Sequence, residues 1–302
     1  MPQVKPPVFL WVMCLWSFAK TLYNFLFLNK TFCHKKRGCI KLLSMNKIIS
    51  LLLLLAGNIA VGQAPVYSSG NLHSHNDYEK PFPFREAYNQ GFGSIEADIF
   101  LQPGNLIVAH DTAQLKLRRT LDSLYLQPLE QCIRKNNGYP YTDHSKVLQL
   151  LVDIKTDSTA TLDRLVKKLQ SYPGITGCKA VKIVISGSRP NPLAFARYPD
   201  WIYFDGELHA DYPAAAVKRI EMLSDNFRNY SSWNGIDSIP AKDKLVLEAL
   251  ITKAHRLHKK VRFWNAPDLI NSWKVFMELG VDYINTDHIT AAATFVEQAY
   301  RR

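Results

Sequence analysis

The chain has 302 residues, of which 47% are hydrophobic and 21% are charged, a composition that excludes a disordered, collagen-like or coiled-coil protein. Its 37 Lys and Arg residues against 26 Asp and Glu residues give a formal net charge of +11, which would suit a nucleic-acid or acidic-membrane partner. The excess of positive charge lies at the N-terminus, because residues 1–44 hold seven cations and no acid. The first acidic residue is Asp77.

Residues 45–62 have the features of a secretory signal peptide. Lys47 precedes an apolar run over Ile48–Ala56, and the small residues Ala60 and Gly62 follow at the spacing that signal peptidase prefers. We therefore predict a signal peptide at 45–62, a bacterial exported protein (periplasmic or extracellular), and a doubtful leader at 1–44 upstream of the true start. From residue 63 onward 29 cations face 26 acids, so a nucleic-acid partner is not expected.

Beyond residue 63, short β-branched runs alternate with amphipathic segments, as is typical of repeated βα units around a parallel sheet. Apolar residues at helical spacing predict helices over Leu162–Leu169 and Leu247–Ala254, and a third from Asp268 to a stop at Gly280. The predicted strands are Asn71–His75, Ile95–Phe100, Leu106–Ala109, Leu148–Ile154, Val181–Ile185, Trp201–Phe204, Glu221–Ser224, Val261–Trp264 and Tyr283–Asn285. About eight parallel strands in roughly 240 residues predict a single (β/α)₈ TIM barrel as one domain at 63–302.

The longest irregular stretch, Asp111–Lys146, is predicted to be functional or to carry small elements of its own. Cys132 and Cys178 are the two cysteines beyond residue 63. Their spacing does not match a metal-binding motif, and one disulfide between them is possible.

Acidic residues on two predicted strands indicate a metal site. Glu96 and Asp98 are separated by one residue, so on a strand their side chains point to the same face. Two carboxylates this close raise each other's pKa unless a cation neutralises them, and a hard divalent ion is the simplest such cation. With Asp153 from another strand and the amide of Asn76, they predict one bound Mg²⁺ or Ca²⁺. The alternative is a structural ion-pair network with Lys155 or Arg residues.

Two histidines lie at strand ends on either side of these acids. His75 ends the first predicted strand and His110 follows the third, at the end of the barrel where active sites are found. A neutral imidazole near its ordinary pKa can accept or donate a proton at neutral pH. The pair is therefore predicted to supply a general base and a general acid.

The motifs HSHNDY at 73–78, IEADI at 95–99 and VAHD at 108–111 occur in this order, followed by an acid and a lysine on the next strand. Together they resemble the superfamily of phosphatidylinositol-specific phospholipases C and glycerophosphodiester phosphodiesterases, and most closely its bacterial exported members. The resemblance implies an acid–base pair of His75 and His110. It implies the metal ligands Glu96, Asp98 and Asp153, with Asn76 as a further ligand.

Two departures leave the substrate open. The glycerophosphodiesterase pattern has His-Arg-Gly at the first strand where this chain has His75, Asn76 and Asp77, and it has Glu where Asp153 stands. The first departure resembles phospholipases C, and the second resembles the phospholipase D toxins of the same superfamily. The substrate of neither subclass is therefore assigned to this chain.

The implied reaction is hydrolysis of a phosphoric diester on a glycerophosphodiester or a phospholipid head group, with His75 favoured as base and His110 as acid. Lys155 and the metal would stabilise charge on the phosphate oxygens. Arg189 is predicted to hold the phosphate and Trp264 to form an apolar wall for the head group. The expected partner is a small-molecule or lipid phosphodiester, with peripheral membrane contact for a lipid; no nucleic acid and no protein partner is inferred.

Two other interpretations stay open. His73 and His75 form an HxH pair at the end of the first strand, as in amidohydrolase-type zinc hydrolases, with His209 and Asp287 as candidates for the remaining site residues. That interpretation leaves Glu96, Asp98 and His110 without a role. The other is a barrel that binds phosphorylated head groups without turning them over.

Overall fold

The computed structural model describes residues 66–300; the predicted leader at 1–44 and signal peptide at 45–62 lie outside the described residues and stay predictions. In this part of the chain the strands belong to one sheet. They are β1 (Leu72–Ser74), β2 (Ser94–Gln102), β3 (Asn105–Val108), β4 (Leu148–Ile154), β5 (Val181–Gly187), β6 (Ile202–Glu207), β7 (Ile220–Asn226), β8 (Lys260–Trp264) and β9 (Ile284–Thr286).

The sheet is a nearly closed barrel of eight parallel strands. Its order is β8-β7-β6-β5-β4-β2-β1-β9, and β3 pairs antiparallel with the outer half of β2 as a hairpin. A parallel bridge from Arg262 on β8 to Tyr283, just before β9, joins the two ends of this order. The predicted (β/α)₈ TIM barrel is thus confirmed.

Helices connect successive strands on the outside of the sheet. They are α1 (Arg85–Asn89), α2 (Gln127–Lys135), α3 (Ser158–Leu169), α4 (Pro173–Gly177), α5 (Ala214–Val217), α6 (Ala241–Arg256), α7 (Ile270–Leu279) and α8 (Ile289–Tyr300). The predicted stop at Gly280 is confirmed by its φ of 86°, in the left-handed region that glycine tolerates. Helix α7 begins at Ile270 rather than at Asp268, whose side chain instead accepts hydrogen bonds from Trp273 Nε1 and the Asp287 amide.

Two of the predicted strands, β6 and β7, were too short at their polar ends. Strand β6 continues past Phe204 through Asp205 to Glu207, and β7 reaches Asn226. These polar residues extend the parallel ladder because alternate side chains of a barrel strand point into its interior, where they can face a cavity. The extensions place additional acids at the end of the barrel that carries the site.

Two apolar regions hold the barrel. The larger lies between the sheet and the helices, and the smaller fills the barrel interior with Leu151, Val184, Met222 and Tyr283. Leu151 precedes Asp153 by two residues on β4, so the interior is closed by packed side chains immediately below the polar end.

The stretch Asp111–Lys146 carries elements of its own, as predicted: a 3₁₀ turn at Thr112–Leu117, a π turn at Asp122–Leu126, and α2. Cys132 and Cys178 are both free cysteines, so the disulfide that the sequence left open is not formed. Within residues 66–300, no helix combines the length and the apolar character needed to cross a membrane.

Candidate functional site

The fold brings the three predicted carboxylates together at the carboxyl end of β2 and β4. Asp98 and Asp153 are register partners on these adjacent strands, and Glu96 precedes Asp98 by two residues on the same face. One oxygen from each of the three carboxylates lies within 4.8 Å of the other two. A ligand set made only of oxygen atoms suits a hard divalent cation.

Each carboxylate is also held by protein donors. Asp98 Oδ2 accepts from the Tyr78 hydroxyl at 2.7 Å and lies 2.9 Å from Lys155 Nζ, while Asp98 Oδ1 is buried without a hydrogen-bond partner in the described residues. Asp153 Oδ2 accepts from Ser186 Oγ at 2.9 Å. Burial, and then the neighbouring charges of Glu96 and Asp153, raise the pKa of Asp98.

Lys155 lies between two of the acids. Its Nζ is 2.9 Å from Asp98 Oδ2 and 3.0 Å from Asp153 Oδ1. Burial would lower the pKa of Lys155, but the two carboxylates outweigh burial and raise it, so the amine stays charged. With Arg262 paired to Glu96, Lys155 still leaves the three carboxylates with one excess negative charge, which a bound cation would offset.

Glu96 is fixed by two buried side chains to which the sequence interpretation gave no role at this site. Arg262 Nη1 lies 3.1 Å from Glu96 Oε2 and 2.6 Å from His73 Nε2, and His73 Nε2 lies 2.8 Å from the same oxygen. Burial opposes ionisation of Glu96, but the Arg262 charge and the His73 contact hold its pKa below the usual range. Burial, followed by Arg262, lowers the pKa of His73 to about 4, so this imidazole is neutral at neutral pH.

His75 lies beside the last strand of the barrel. Its amide donates to Thr286 O, and its Nδ1 is 3.2 Å from Asp287 Oδ1, which Lys80 Nζ also approaches at 3.6 Å. Burial alone would lower the pKa of His75, but the Asp287 hydrogen bond and the charges of Glu96 and Asp287 outweigh it and raise that pKa. With Nδ1 held by Asp287, the Nε2 atom is the one left for a substrate.

His110 lies on the β3 side of the cluster and is 56% exposed. Its Nδ1 is 3.1 Å from the hydroxyl of Tyr78 and 3.9 Å from Asp98 Oδ2. The fully buried Tyr78 was not identified from the sequence as a site residue, although it ends the HSHNDY motif. Burial and the Asp98 charge raise the pKa of Tyr78, so it stays protonated and can donate to Asp98.

Asn76 connects the two histidines. Its Nδ2 lies 3.0 Å from His75 Nδ1, and its Oδ1 lies 2.9 Å from the Tyr78 hydroxyl. Its φ of 47° is left-handed, a conformation that asparagine tolerates better than most residues. The Tyr78 hydroxyl that faces the Asn76 amide oxygen also contacts Asp98.

A cavity of about 380 Å³ opens at this end of the barrel. Its lining includes His75, Glu96, Asp153 and Lys155, as well as Arg189 and Trp264, but not His110, Asp98 or Asn76. Arg189 donates to the backbone oxygen of Asp205 and to Glu207 Oε1, so its guanidinium is already paired. Trp264 is 40% exposed.

The loop that carries His75, Asn76 and Tyr78 is organised around buried Asp77. Asp77 Oδ1 accepts from Ser74 Oγ at 2.9 Å, and Oδ2 accepts from the Phe84 amide at 2.5 Å and the Tyr125 hydroxyl at 3.0 Å. Burial raises the pKa of Asp77 to about 6 although these three hydrogen bonds oppose the change.

Replacing Asp77 by Asn is expected to remove a pH-dependent loss of stability. The raised pKa means that the native state binds more protons than the unfolded state between pH 3.8 and about 6, so wild-type stability falls as pH rises through this window. An asparagine can keep the three contacts, with its oxygen towards Phe84 and Tyr125 and its Nδ2 donating to Ser74. Relative to wild type, the variant should gain about 3 kcal/mol between pH 3.5 and pH 7. Urea unfolding at each pH measures this difference, and a difference independent of pH would contradict it.

Two protein-family models match this chain. Residues 65–174 match the AIM6-like phosphodiesterase domain, and residues 260–290 match the glycerophosphoryl diester phosphodiesterase family. Both families are phosphodiesterases. The matches support a glycerophosphodiester phosphodiesterase-like superfamily for this chain, and they include β1, β2 and β4 with the three carboxylates, and β8 with Arg262.

Curated proteins and a solved structure are similar to this chain over about three quarters of its length. The chain is 27% identical to an altered inheritance of mitochondria protein 6 homolog from Arthroderma benhamiae, over 73% of this chain and 82% of that protein. It is 26% identical to altered inheritance of mitochondria protein 6 from Kluyveromyces lactis, over 74% and 72%. A glycerophosphodiester phosphodiesterase from Parabacteroides distasonis shares the fold, with a TM-score of 0.50 and 13% identity over 76% of this chain and 97% of that chain.

The prediction of a bacterial exported protein was wrong. The curated relatives are fungal proteins named for the inheritance of mitochondria, and the comparisons give no support for bacterial export. The prediction depended on residues 45–62 and on the resemblance of the HSHNDY, IEADI and VAHD motifs to bacterial exported proteins. Neither a lysine before a short apolar run nor these motifs identify an organism or a destination.

Proposed function

We propose that this protein is a metal-dependent phosphoric diester hydrolase, of the glycerophosphodiester phosphodiesterase or phospholipase C type, acting on glycerophosphodiesters or phospholipid head groups. The proposal is carried by one observation: Glu96, Asp98 and Asp153 present oxygens within 4.8 Å of one another beside Lys155. Similarity to the two phosphodiesterase families supports it.

In this proposal Mg²⁺ or Ca²⁺ is held by Glu96, Asp98, Asp153 and Asn76. The unpartnered buried oxygen of Asp98 and the all-oxygen donor set fit such an ion. When bound, the ion polarises the phosphate and offsets its charge. Arg262 and His73 hold Glu96 in place from below, as outer contacts commonly do for metal ligands.

His75 is the proposed general base and His110 the proposed general acid. In this proposal His75 Nδ1–H donates to Asp287 and does not accept from the nearby Asn76 Nδ2. This tautomer has a lone pair on Nε2, which can accept the proton of an attacking water or substrate hydroxyl. Because the single Tyr78 proton is donated to Asp98, the Tyr78 oxygen accepts from His110 Nδ1–H. His110 Nε2 is then the atom that protonates the leaving alkoxide.

Lys155, Arg189 and Trp264 are the proposed substrate-binding residues. The charged amine of Lys155 can approach a phosphate oxygen bound next to Asp98 and Asp153. Arg189 lines the same cavity. Releasing its contact with the backbone oxygen of Asp205 would let Nη1 reach the phosphate while Nη2 stays with Glu207. Trp264 offers an exposed aromatic face to the organic group of the substrate.

The contacts of His73 argue against the zinc amidohydrolase alternative. Arg262 Nη1 lies 2.6 Å from His73 Nε2, so a cation already stands where an HxH zinc ion would be bound. Of the described residues, those that could jointly hold a metal ion are three carboxylates and no histidine.

The test is an assay of glycerophosphodiesters, phosphatidylinositol and lysophospholipids, each with Mg²⁺, with Ca²⁺ and with EDTA. Turnover of at least one substrate that EDTA abolishes and metal restores supports the proposal. Saturable binding of these compounds without turnover would favour the non-catalytic barrel, and turnover restored by zinc alone would favour the amidohydrolase type.

Replacing Tyr78 by Phe should lower kcat while leaving KM nearly unchanged. The change removes the hydroxyl that fixes the tautomer of His110, and we expect a loss of about 10- to 100-fold, in the range seen for outer hydrogen-bond partners. The matched control is Tyr88→Phe, which removes a half-buried hydroxyl bonded to Pro140 O away from the acids. If both variants lose kcat equally, or neither does, Tyr78 does not position His110.

A further inference from the structure

The cavity has a second wall that the proposed chemistry at phosphorus does not use. It is formed by the ends of β6 and β7, across the barrel from the three carboxylates of β2 and β4. Its acids are Asp205, Glu207 and Asp225, and Trp264 on β8 stands beside it. The wall therefore differs in charge from a phosphate-binding surface.

Asp205 is the residue of this wall that indicates a missing ligand. It lines the cavity although it is only 3% exposed. Ser224 Oγ donates to Asp205 Oδ2, but Asp205 Oδ1 is buried and has no hydrogen-bond partner within residues 66–300. A buried carboxylate oxygen without a partner costs free energy, and a bound donor or cation would remove that cost.

The other two acids of the wall are already paired. Glu207 Oε1 lies 2.9 Å from Arg189 Nη2, and Asp225 Oδ2 lies 2.8 Å from His209 Nδ1. Even when Arg189 and His209 are both protonated, their two positive charges do not balance the three carboxylates, and one negative charge remains. Asp205 is the acid with an unpartnered oxygen, so we place this charge on Asp205.

Arg262 offsets this charge only in part, because its single charge is shared with Glu96. Its Nη2 is 4.0 Å from Asp205 Oδ2, whereas its Nη1 is 3.1 Å from Glu96 Oε2, whose charge it matches. A positively charged group on the ligand is therefore favoured at this wall over a neutral hydroxyl, which would leave the Asp205 charge uncompensated.

The aromatic face of Trp264 adds a second attraction for a cation. Trp264 lines the cavity, and it is a register partner of Asn226, the residue that follows Asp225 on β7. Indole is the strongest of the aromatic side chains in cation–π contacts, and it also packs against the methyl or methylene groups of an alkylammonium.

We propose that this wall binds an ammonium group carried by one of the two alcohols of the phosphodiester, with Asp205 as its counter-ion and Trp264 packed against it. The inference rests on the proposed function, because it assigns one arm of a phosphodiester substrate to this wall. It makes Asp205 and Trp264 determinants of specificity, separate from the residues that act at phosphorus.

The test compares two substrates of the same shape and different charge: the glycerophosphodiester of choline and that of 3,3-dimethylbutanol, its neutral isostere. Wild-type kcat/KM should be about tenfold higher for the choline ester. In Asp205→Asn, which keeps the side-chain shape and an acceptor for Ser224, the ratio should fall to about one. Trp264→Leu, at a partly exposed position, should lower the same ratio. A wild-type ratio of about one, or a ratio unchanged in both variants, overturns the inference.

Asp211→Asn is the matched control, because it removes one carboxylate charge outside the lining of this cavity. Asp211 is 94% exposed and pairs with Lys253 Nζ at 2.9 Å. The ratio should keep its wild-type value in this variant. A loss as large as that in Asp205→Asn would mean that long-range charge, and not contact with Asp205, sets the preference, and would overturn the inference.

A binding measurement separates failure of the inference from failure of the proposed function. Choline and 3,3-dimethylbutanol are titrated by saturation-transfer NMR against wild type and Asp205→Asn. Saturable binding of choline that weakens about tenfold in the variant, with weaker binding of the alcohol, supports the ammonium site even if neither ester is hydrolysed. Equal binding of the two compounds, or no binding of choline, overturns the site even if both esters are hydrolysed.

Discussion

Replacing His75 or His110 by Gln should lower kcat for phosphodiester hydrolysis by about 10²- to 10⁴-fold, the usual contribution of general acid–base catalysis. Glutamine keeps hydrogen-bonding capacity near Asp287 and Tyr78 but cannot exchange a proton at neutral pH. The measurement is steady-state turnover on the substrate and metal identified in the assay. His255→Gln is the matched control, since His255 also pairs with a carboxylate, Asp282 at 2.8 Å, but lies outside the cavity lining. Near-wild-type kcat in both His75→Gln and His110→Gln would exclude the proposed pair.

The pH profile distinguishes the base from the acid. Because Asp287 raises the pKa of His75, Asp287→Asn should lower that pKa and move the acidic limb of kcat/KM to lower pH. The limb should move this way only if His75 must be unprotonated, as a base. Movement of the basic limb instead would reverse the roles of the two histidines.

The carboxylate cluster was predictable from the sequence because it depends on local periodicity. Glu96 and Asp98 are two residues apart on a strand, and the parallel register of β2 and β4 sets Asp98 beside Asp153. The helices with clear apolar spacing and the stop at Gly280 were predictable for the same reason. Each of these features needs only the geometry of one element or of neighbouring strands.

The contact between Arg262 and Glu96 was not predictable from the sequence, because it joins elements far apart in the chain. Arg262 reaches Glu96 across 166 residues of sequence, and only barrel closure brings β8 near β2. A signal was present: Arg262 stands between buried Val261 and Phe263 in an apolar strand, and a charge in that position requires a buried partner. Which acid supplies the partner is decided by the closed barrel.

The polar ends of the strands explain why the sequence analysis missed other residues of the site. Strands were delimited by apolar runs, so Asp205 and Glu207 were placed after β6 although they lie within it. In a barrel the interior face near the carboxyl end is polar because it faces the site, so the hydrophobic pattern stops before the strand does. Tyr78 was missed for a related reason: its ring is packed in the core, and only its hydroxyl reaches the cluster.

Metal binding should stabilise wild type much more than Asp98→Asn. In the metal-free protein, the raised pKa of Asp98 means that its ionised form destabilises the native state at neutral pH, so an uncharged Asn should make the metal-free protein more stable. With metal present, wild type should gain about 2.7 kcal/mol at a metal concentration of 100 Kd, whereas the variant, lacking one carboxylate ligand, should gain much less. The stability advantage of Asp98→Asn over wild type should therefore shrink between EDTA and saturating Mg²⁺ or Ca²⁺.

Calorimetric titration of the metal and urea unfolding measure the two halves of this prediction. Asp153→Asn should also weaken metal affinity by about tenfold or more, because it removes a second carboxylate ligand. Glu207→Gln is the matched control, since it removes an acid of the same cavity that is paired with Arg189 across from the cluster. If all three variants bind the metal as wild type does, the carboxylates serve an ion-pair network with Lys155 and Arg262. If Glu207→Gln alone weakens binding, the ion is held at the opposite wall, and the assignment of Glu96, Asp98 and Asp153 as ligands is wrong.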